Sequence, residues 1–201
     1  DTTLKPQETK DYEIGIKHRF GPKFKADMTL FRMNIEHELY YDYASYSNKN
    51  YDRTRHEGVE AGIEAGIGKD LVLTGNYAYT RGLFRGGAYD KRTIPMVPRN
   101  KGSVGLKYRF AQAFTLNLTG NYVGERYFIN DQANALSRLN GFFTADASLS
   151  YVYKALTTTI GVNNILGKEY AEYATCNPTT GKKVYYPSPA RSFTVKLAYK
   201  F

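Results

Sequence analysis

Tyrosine and arginine are concentrated in two polar stretches between residues 40 and 92. Five tyrosines fall within 40–51, and arginine and lysine are frequent in 81–92. Aromatic rings bind flat or chelated ligands, and guanidinium groups bind anionic ones. Seven residues are therefore candidate ligand contacts: Tyr41, Tyr43, Tyr46, Tyr51, Arg81, Arg85 and Tyr89. The alternative interpretation is that the tyrosines support loop packing and that the basic residues bind anionic surface groups.

Histidine and carboxylate residues offer little for catalysis or metal binding. His37 and His56 lie near opposite ends of one polar stretch. Neighbours in the cluster Glu36-His37-Glu38 point to opposite faces of an extended chain, which makes a poor metal site. Motifs of serine hydrolases, zinc peptidases and nucleotide-binding proteins are missing. The sequence thus favours a protein that is not an enzyme and needs no cofactor or metal; a protease or lipase using a loop histidine is the least favoured alternative.

Composition narrows the fold class. The 201 residues are 42% hydrophobic and 23% charged, with a mean hydropathy of -0.53 and no apolar run long enough for a membrane-spanning helix. Nineteen Tyr and 11 Phe favour strands. The single Cys176 excludes an internal disulfide, leaving a free thiol or a partner outside this segment. The net charge of +9 favours anionic neighbours without choosing among them.

Alternation with a period of two is the main structural signal. It predicts about nine strands, most of them around ten residues long, a length that suits a tilted transmembrane strand. The strands are predicted at 12–20, 23–36, 59–67, 71–80, 103–110, 114–122, 143–153, 156–163 and 191–201. Within 23–36 the apolar residues change phase after Leu30, which predicts a β-bulge.

The connections alternate between tight and long. Tight turns are predicted at 20–23, 68–70, 110–113 and 154–155, and long loops at 37–53, 81–97, 125–139 and 164–190. Aromatic residues on the apolar phase lie near both the tight turns and the long loops. Membrane barrels have such a pattern, because aromatic side chains are favoured at the two membrane–water boundaries. The expected fold is an antiparallel up-and-down transmembrane β-barrel; a soluble antiparallel barrel is the alternative.

The strand count suggests that this barrel is incomplete. Bacterial outer-membrane barrels have an even number of strands and both termini on the short-turn side, whereas nine strands would place the first residue outside. An open sheet would leave two unpaired edges in lipid. We therefore expect residues 1–201 to be the C-terminal portion of a larger barrel. The residues on the polar phase are expected to face a wet lumen or packed polar protein; they include Lys17, Glu60, Glu64, Lys107 and Arg109.

Six short motifs along nearly the whole chain resemble one family, the TonB-dependent outer-membrane receptors. They read L-K-P-Q-E at 4–8 (followed by E-I-G at 13–15), R-H-E-G-V-E at 55–60, I-P-M-V-P at 94–98, N-Y-V-G-E-R-Y at 121–127, G-V-N-N-I at 161–165 and Y-P-S-P-A-R at 186–191. The last motif departs from the family at Ala190, where glycine is usual. Each motif is weak alone, but their order and spacing are specific.

The resemblance implies the last nine strands of a 22-stranded barrel in a Gram-negative outer membrane. It implies energised uptake of a scarce metal chelate, a ferric siderophore first and cobalamin or haem as alternatives, with a passive porin or adhesin as a further alternative. The plug domain and TonB box are absent from these residues, so TonB would act through the missing N-terminal part. The alternating aromatics that end at Tyr199 and Phe201 resemble a signal for the barrel-assembly machinery. Outer-membrane lipid and lipopolysaccharide are the other expected partners, and no nucleic acid is expected.

Overall fold

The computed structural model describes residues 4–42, 45–177 and 180–201, which form an all-β structure. Thirteen strands occur in these ranges. They are β1 (Glu8–Phe20), β2 (Phe24–Glu36), β3 (Leu39–Asp42), β4 (Ser47–Asn50), β5 (Arg53–Ile67), β6 (Leu71–Phe84), β7 (Asn100–Phe110), β8 (Phe114–Val123), β9 (Phe142–Tyr153), β10 (Leu156–Asn163), β11 (Ala171–Cys176), β12 (Lys183–Pro187) and β13 (Ser192–Tyr199). No helix in these ranges is long and apolar enough to cross a membrane.

Nine of the strands form one antiparallel sheet, which we call the strand wall. Its order is β1-β2-β5-β6-β7-β8-β9-β10-β13, so each strand pairs only with its neighbours in this up-and-down series. The pairs β3–β4 and β11–β12 are small separate hairpins inside two of the long connections. The predicted nine-stranded antiparallel topology is confirmed.

The connections alternate as the sequence predicts. Tight turns occupy 21–23, 68–70, 111–113 and 154–155, and long connections occupy 37–52, 85–99, 124–141 and 164–191. The backbone at Ala111 and Gln112 has φ of 45° and 58°, the left-handed conformation that lets three residues reverse the chain between β7 and β8. All the long connections therefore emerge from one rim of the strand wall, and we call them the loop layer.

The predicted bulge in the second strand is wrong. β2 keeps one uninterrupted register with β1 and with β5 from Phe24 to Glu36. The apolar residues change face instead: Leu30 points outward and is half exposed, whereas Ile35 points to the opposite face and is buried. This change follows from the surroundings, because near the long-loop rim the inner face is covered by protein.

Register defines the two faces of the strand wall. The outward face carries the aliphatic and aromatic residues, and the opposite, inward face carries polar groups such as Lys25 and Glu64, which form an ion pair of 2.6 Å. Large apolar side chains stay exposed on the outward face; Val195, for example, is 72% exposed.

Two aromatic girdles border the outward face. Near the tight turns Tyr108, Phe110, Phe114 and Tyr151 stack in series, with ring centroids 4.7–5.6 Å apart. Tyr79 on β6 lies eight residues above Leu71, the partner of Tyr108. Eight strand residues span about 26 Å at ~3.3 Å each, which matches the apolar band of a membrane barrel.

Candidate ligand-binding face of the loop layer

One long connection, residues 124–141, holds the loop layer together, and we call it the central loop. Its Asn134 side chain donates to the carbonyl of Thr93 at 2.8 Å and accepts from the Thr93 amide at 2.6 Å. On its other side Asn130 makes the same two-way bridge to the backbone of Cys176, at 2.6 and 3.0 Å. The central loop therefore links the connections on both sides of it through partly buried amide groups.

The loop layer has its own apolar core. Phe128, which has no exposed surface, packs with Leu139, Ala174 and Cys176, and Met96 and Leu136 border this cluster. Cys176 is a free thiol buried in the core. Arg126 is also buried, and its guanidinium donates to the carbonyls of Ala171 and Glu172 at 2.9 and 3.0 Å. A packed core of this kind holds the loops together as one platform.

The platform ends in an aromatic pocket formed by Tyr40, Tyr51, Phe84 and Tyr89. The rings of Tyr40 and Tyr51 stack in parallel with centroids 3.8 Å apart, and the Phe84 ring meets Tyr51 edge-on at 4.7 Å. Tyr89 tilts against Phe84 at 5.7 Å. These rings line a cavity of about 150 Å³, in which backbone from 86–89 supplies one side. Such a pocket suits a single flat ring or the rim of a larger ligand.

Partial burial and a hydrogen bond from the central loop hold Tyr51 in place. Its side chain is partly buried, and burial raises the pKa of its hydroxyl well above the ordinary value, so the group stays protonated. The amide of Gln132 in the central loop donates to this hydroxyl at 3.4 Å. The contact brings together residues 81 positions apart and connects the pocket to the loop core.

A polar cluster of Glu38, Thr54 and His56 lies beside the pocket. The Thr54 hydroxyl donates to the Glu38 carboxylate, and the His56 Nε2 atom lies 3.7 Å from the same carboxylate oxygen. Burial opposes ionisation of Glu38, but the hydrogen bond from Thr54 and the nearby His56 side chain outweigh it and lower the pKa of the carboxyl. Among the described residues, no three of His, Cys, Asp and Glu converge as a metal site.

Two of the predicted contacts, Arg81 and Arg85, lie on the other side of the sheet. Arg81 belongs to β6 rather than to a loop, and it shares the outward face with Tyr77 and Tyr79. Arg85 follows β6 in the same phase, and its amide donates to the Arg53 carbonyl at 2.8 Å. Phe84 immediately precedes Arg85 but has the opposite phase, and it pairs with Thr54 on the inward face. The two arginines therefore do not converge with the aromatic pocket.

The other predicted contacts are distributed along the β3–β4 hairpin. Tyr41 follows Tyr40 in β3, and Tyr46 is 79% exposed at the hairpin tip. Tyr43 lies outside the described residues. Of the six candidates that the structure describes, only Tyr51 and Tyr89 meet in the pocket, and the binding role of all seven stays a prediction. Tyr199 and Phe201 lie at the end of the edge strand β13, exposed, with ring centroids 5.2 Å apart.

Sequence reasoning missed Tyr40 and Phe84 as pocket residues. Phe84 could have been identified from the sequence. It lies five residues after the outward-facing Tyr79, which places its aromatic ring on the otherwise polar inward face. Tyr40 carried none, since its neighbours Tyr41 and Tyr43 have the same chemistry and only the hairpin geometry selects among them.

Comparison with known proteins gives one family and many similar folds. Residues 1–165 match the family model described as TonB dependent receptor-like, beta-barrel. The ferric-catecholate import receptor Fiu from E. coli K12 superposes with a TM-score of 0.74 at 24% identity, over 100% of this chain and 29% of that one. The ferric yersiniabactin uptake receptor FyuA from Yersinia pestis gives a TM-score of 0.80 at 18% identity, over 97% and 30% of the two chains.

A copper transporter, OprC, fits as well as the iron receptors. Its TM-score is 0.78 at 20% identity, over 99% of this chain and 32% of that one. At these identities the similarity demonstrates the fold and not the ligand. The chain spans about 30% of the length of the solved structures that it matches.

Proposed function

This chain belongs to the TonB-dependent receptor-like β-barrel family, and we propose that it forms part of an outer-membrane receptor for energised uptake of a metal chelate, with a ferric siderophore as the first candidate. The nine strands then supply the C-terminal part of the barrel. The plug and the TonB contact belong to the remainder of the receptor. Family and similar structures are transport receptors, which supports a role in transport rather than catalysis.

The aromatic pocket is the observation that carries this proposal. It combines stacked tyrosines with a phenylalanine edge, and the loop core holds it at the long-loop rim. Siderophores commonly present aromatic or flat chelating groups, and such groups stack on tyrosine rings. Two of the similar structures are named as importers of ferric chelates and one as a copper transporter, so a ferric chelate is the first cargo to test and copper the second.

Ligand binding to the full-length receptor tests the proposal. We would measure affinity for a ferric catecholate, ferric citrate and copper(II), and compare the wild type with the double variant Tyr51→Ala/Tyr89→Ala. Two lost aromatic contacts should weaken binding of a ferric chelate about tenfold. The exposed loop residue Tyr186, in the variant Tyr186→Ala, is the matched control and should bind as the wild type does.

Three outcomes would contradict the proposal. Binding of copper alone would replace the iron chelate as cargo, and equal affinity of the tyrosine double variant would remove the pocket from the site. Uptake of radioactive iron by cells should stop when an uncoupler collapses the proton gradient. Persistent uptake would favour the passive porin instead.

We further propose that Tyr199 and Phe201 mark β13 for the barrel-assembly machinery. An exposed apolar edge strand offers backbone groups and alternate side chains for strand addition. Replacing both aromatics with serine should reduce the amount of folded receptor in the outer membrane, measured by heat-modifiable electrophoretic mobility, whereas the inward pair Thr194→Ser and Lys196→Ser should not.

A further inference from the structure

A cluster of cationic side chains occupies the outward face just beyond the upper aromatic girdle. Cross-strand register aligns these residues in three adjacent rows across β1, β2, β5 and the end of β6. We call them the outer basic patch: Lys10, Arg32, Arg53, Arg55, Arg81 and Arg85. Arg81 lies two residues, about 7 Å, beyond Tyr79 on the same face of β6. This is the level at which lipid headgroups begin.

The guanidinium groups of the outer basic patch are incompletely satisfied by the protein. Glu57 lies between Arg32 and Arg81, at 3.7 and 3.9 Å, which are ion-pair distances but too long for hydrogen bonds. Both arginine side chains remain about half exposed. The buried Nε atom of Arg85 has no hydrogen-bond partner among the described residues. The patch therefore has donors available for another anion.

A cavity of about 600 Å³ lies among four of the six patch residues. Lys10, Arg53, Arg55 and Arg85 line it together with the carboxylates of Glu36 and Asp90. Six cations thus share this region with Glu36, Glu57, Asp90 and the exposed Glu8 at the end of its row. The surplus of positive charge suits a phosphate group, which accepts several guanidinium hydrogen bonds at once.

An apolar groove lies below the girdle on the same face. Outward positions of three neighbouring strands are Gly75, Gly102 and Gly120, and the groove of about 430 Å³ that they open is bordered by Tyr77 and Tyr122. We call it the glycine groove. A Cβ atom at Gly120 would lie 2.7 Å from the Phe143 ring, so the groove depends on the missing side chains.

The distance between the outer basic patch and the glycine groove allows a single amphiphilic molecule to occupy both. Tyr77 borders the groove four residues below Arg81 on the same strand and face, about 13 Å along the strand. We propose that the outward face binds a phosphorylated, acylated lipid of the outer leaflet, with phosphate in the outer basic patch and an acyl chain in the glycine groove. Arg81 and Arg85 then bind lipid and not the imported ligand. This site does not depend on which chelate the receptor imports.

Lipid binding to the purified full-length receptor tests the inference, using native mass spectrometry with bisphosphorylated lipid A and with the same lipid lacking phosphate. The double variant Arg32→Gln/Arg81→Gln removes two charge-assisted contacts and should weaken lipid A binding about 100-fold, at about tenfold per contact. Binding of the dephosphorylated lipid should not change. The matched control Lys107→Gln/Arg109→Gln removes two inward cations near the opposite rim and should bind lipid A normally.

Further variants separate the parts of the site. Ala61→Phe fills the glycine groove from its border and should weaken both lipids alike, whereas competition by inorganic phosphate should be unaffected. If Ala61→Phe has no effect, the patch is an anion site without a lipid. Equal lipid A binding by Arg32→Gln/Arg81→Gln and the wild type overturns the inference.

Folding of each variant is checked by heat-modifiable mobility. If Arg32→Gln/Arg81→Gln does not fold, Glu57→Gln decides the question, because removing this carboxylate frees both arginines and should strengthen lipid A binding. Unchanged or weaker binding by Glu57→Gln would again overturn the inference.

Discussion

The strand wall and the loop layer bury their apolar residues in opposite ways. Outward side chains of the wall remain exposed, as Val195 and Ile160 are at 72% and 54%, whereas Phe128 and Ala174 in the loop layer have no exposed surface. The buried hydrophobic residues all lie in the loops or at the strand ends beside them. The loop layer is thus built like a water-soluble protein, and the wall is built for a solvent that is itself apolar.

The largest effect should come from the centre of the loop core. Phe128→Ala should cost about 3–5 kcal/mol of loop stability, because it removes a fully buried ring. Hydrogen exchange should then accelerate in the central loop and in β11 and β12, while the amides of the strand wall stay protected. The exposed Phe193→Ala is the control. Loss of protection throughout the wall would show that the two regions are not independent.

A charged substitution on the wall should have a somewhat smaller effect. Ile160 lies midway up β10 on the outward face, four residues above Leu156 at the turn rim. Ile160→Arg should cost about 2–4 kcal/mol in lipid, measured as the free energy of unfolding of the full-length receptor in vesicles. The inward neighbour Thr157→Arg should be close to neutral. A neutral Ile160→Arg would mean that the outward face meets water.

The smallest effect is a pH dependence confined to the loop layer. Although burial opposes it, the Thr54 hydrogen bond and the nearby His56 side chain lower the pKa of Glu38, so its stabilising contribution is complete above its ordinary pKa of 4.5 and is lost as the pH falls through the lowered value. Acidification should therefore loosen Tyr51 and the pocket, seen as faster exchange of the Tyr51 amide. Glu38→Gln should remove this acid transition; its persistence would assign it to another group.

The wall was predictable from sequence, and the loop layer was not. Alternation along β13 and the short turn at 111–113 are local signals, and register then follows from adjacent strands. The change of phase after Leu30 led to the wrong prediction of a β-bulge. Alternation shows which face of a strand is apolar, but it does not show whether lipid or protein covers that face. Phase counted from Tyr79 could have placed Arg81 outward. The meeting of Gln132 with Tyr51 has no local signal at all.

The order of the strands also indicates which parts of the molecule fold first. Four hairpins of the wall close over two or three turn residues and can form with little loss of chain entropy, whereas pairing one hairpin with the next must close a long connection. The contact between Tyr51 and Gln132 must instead wait until the intervening strands have brought its two ends together. The pocket would then form late, and a chain arrested during insertion would expose finished hairpins but no binding surface.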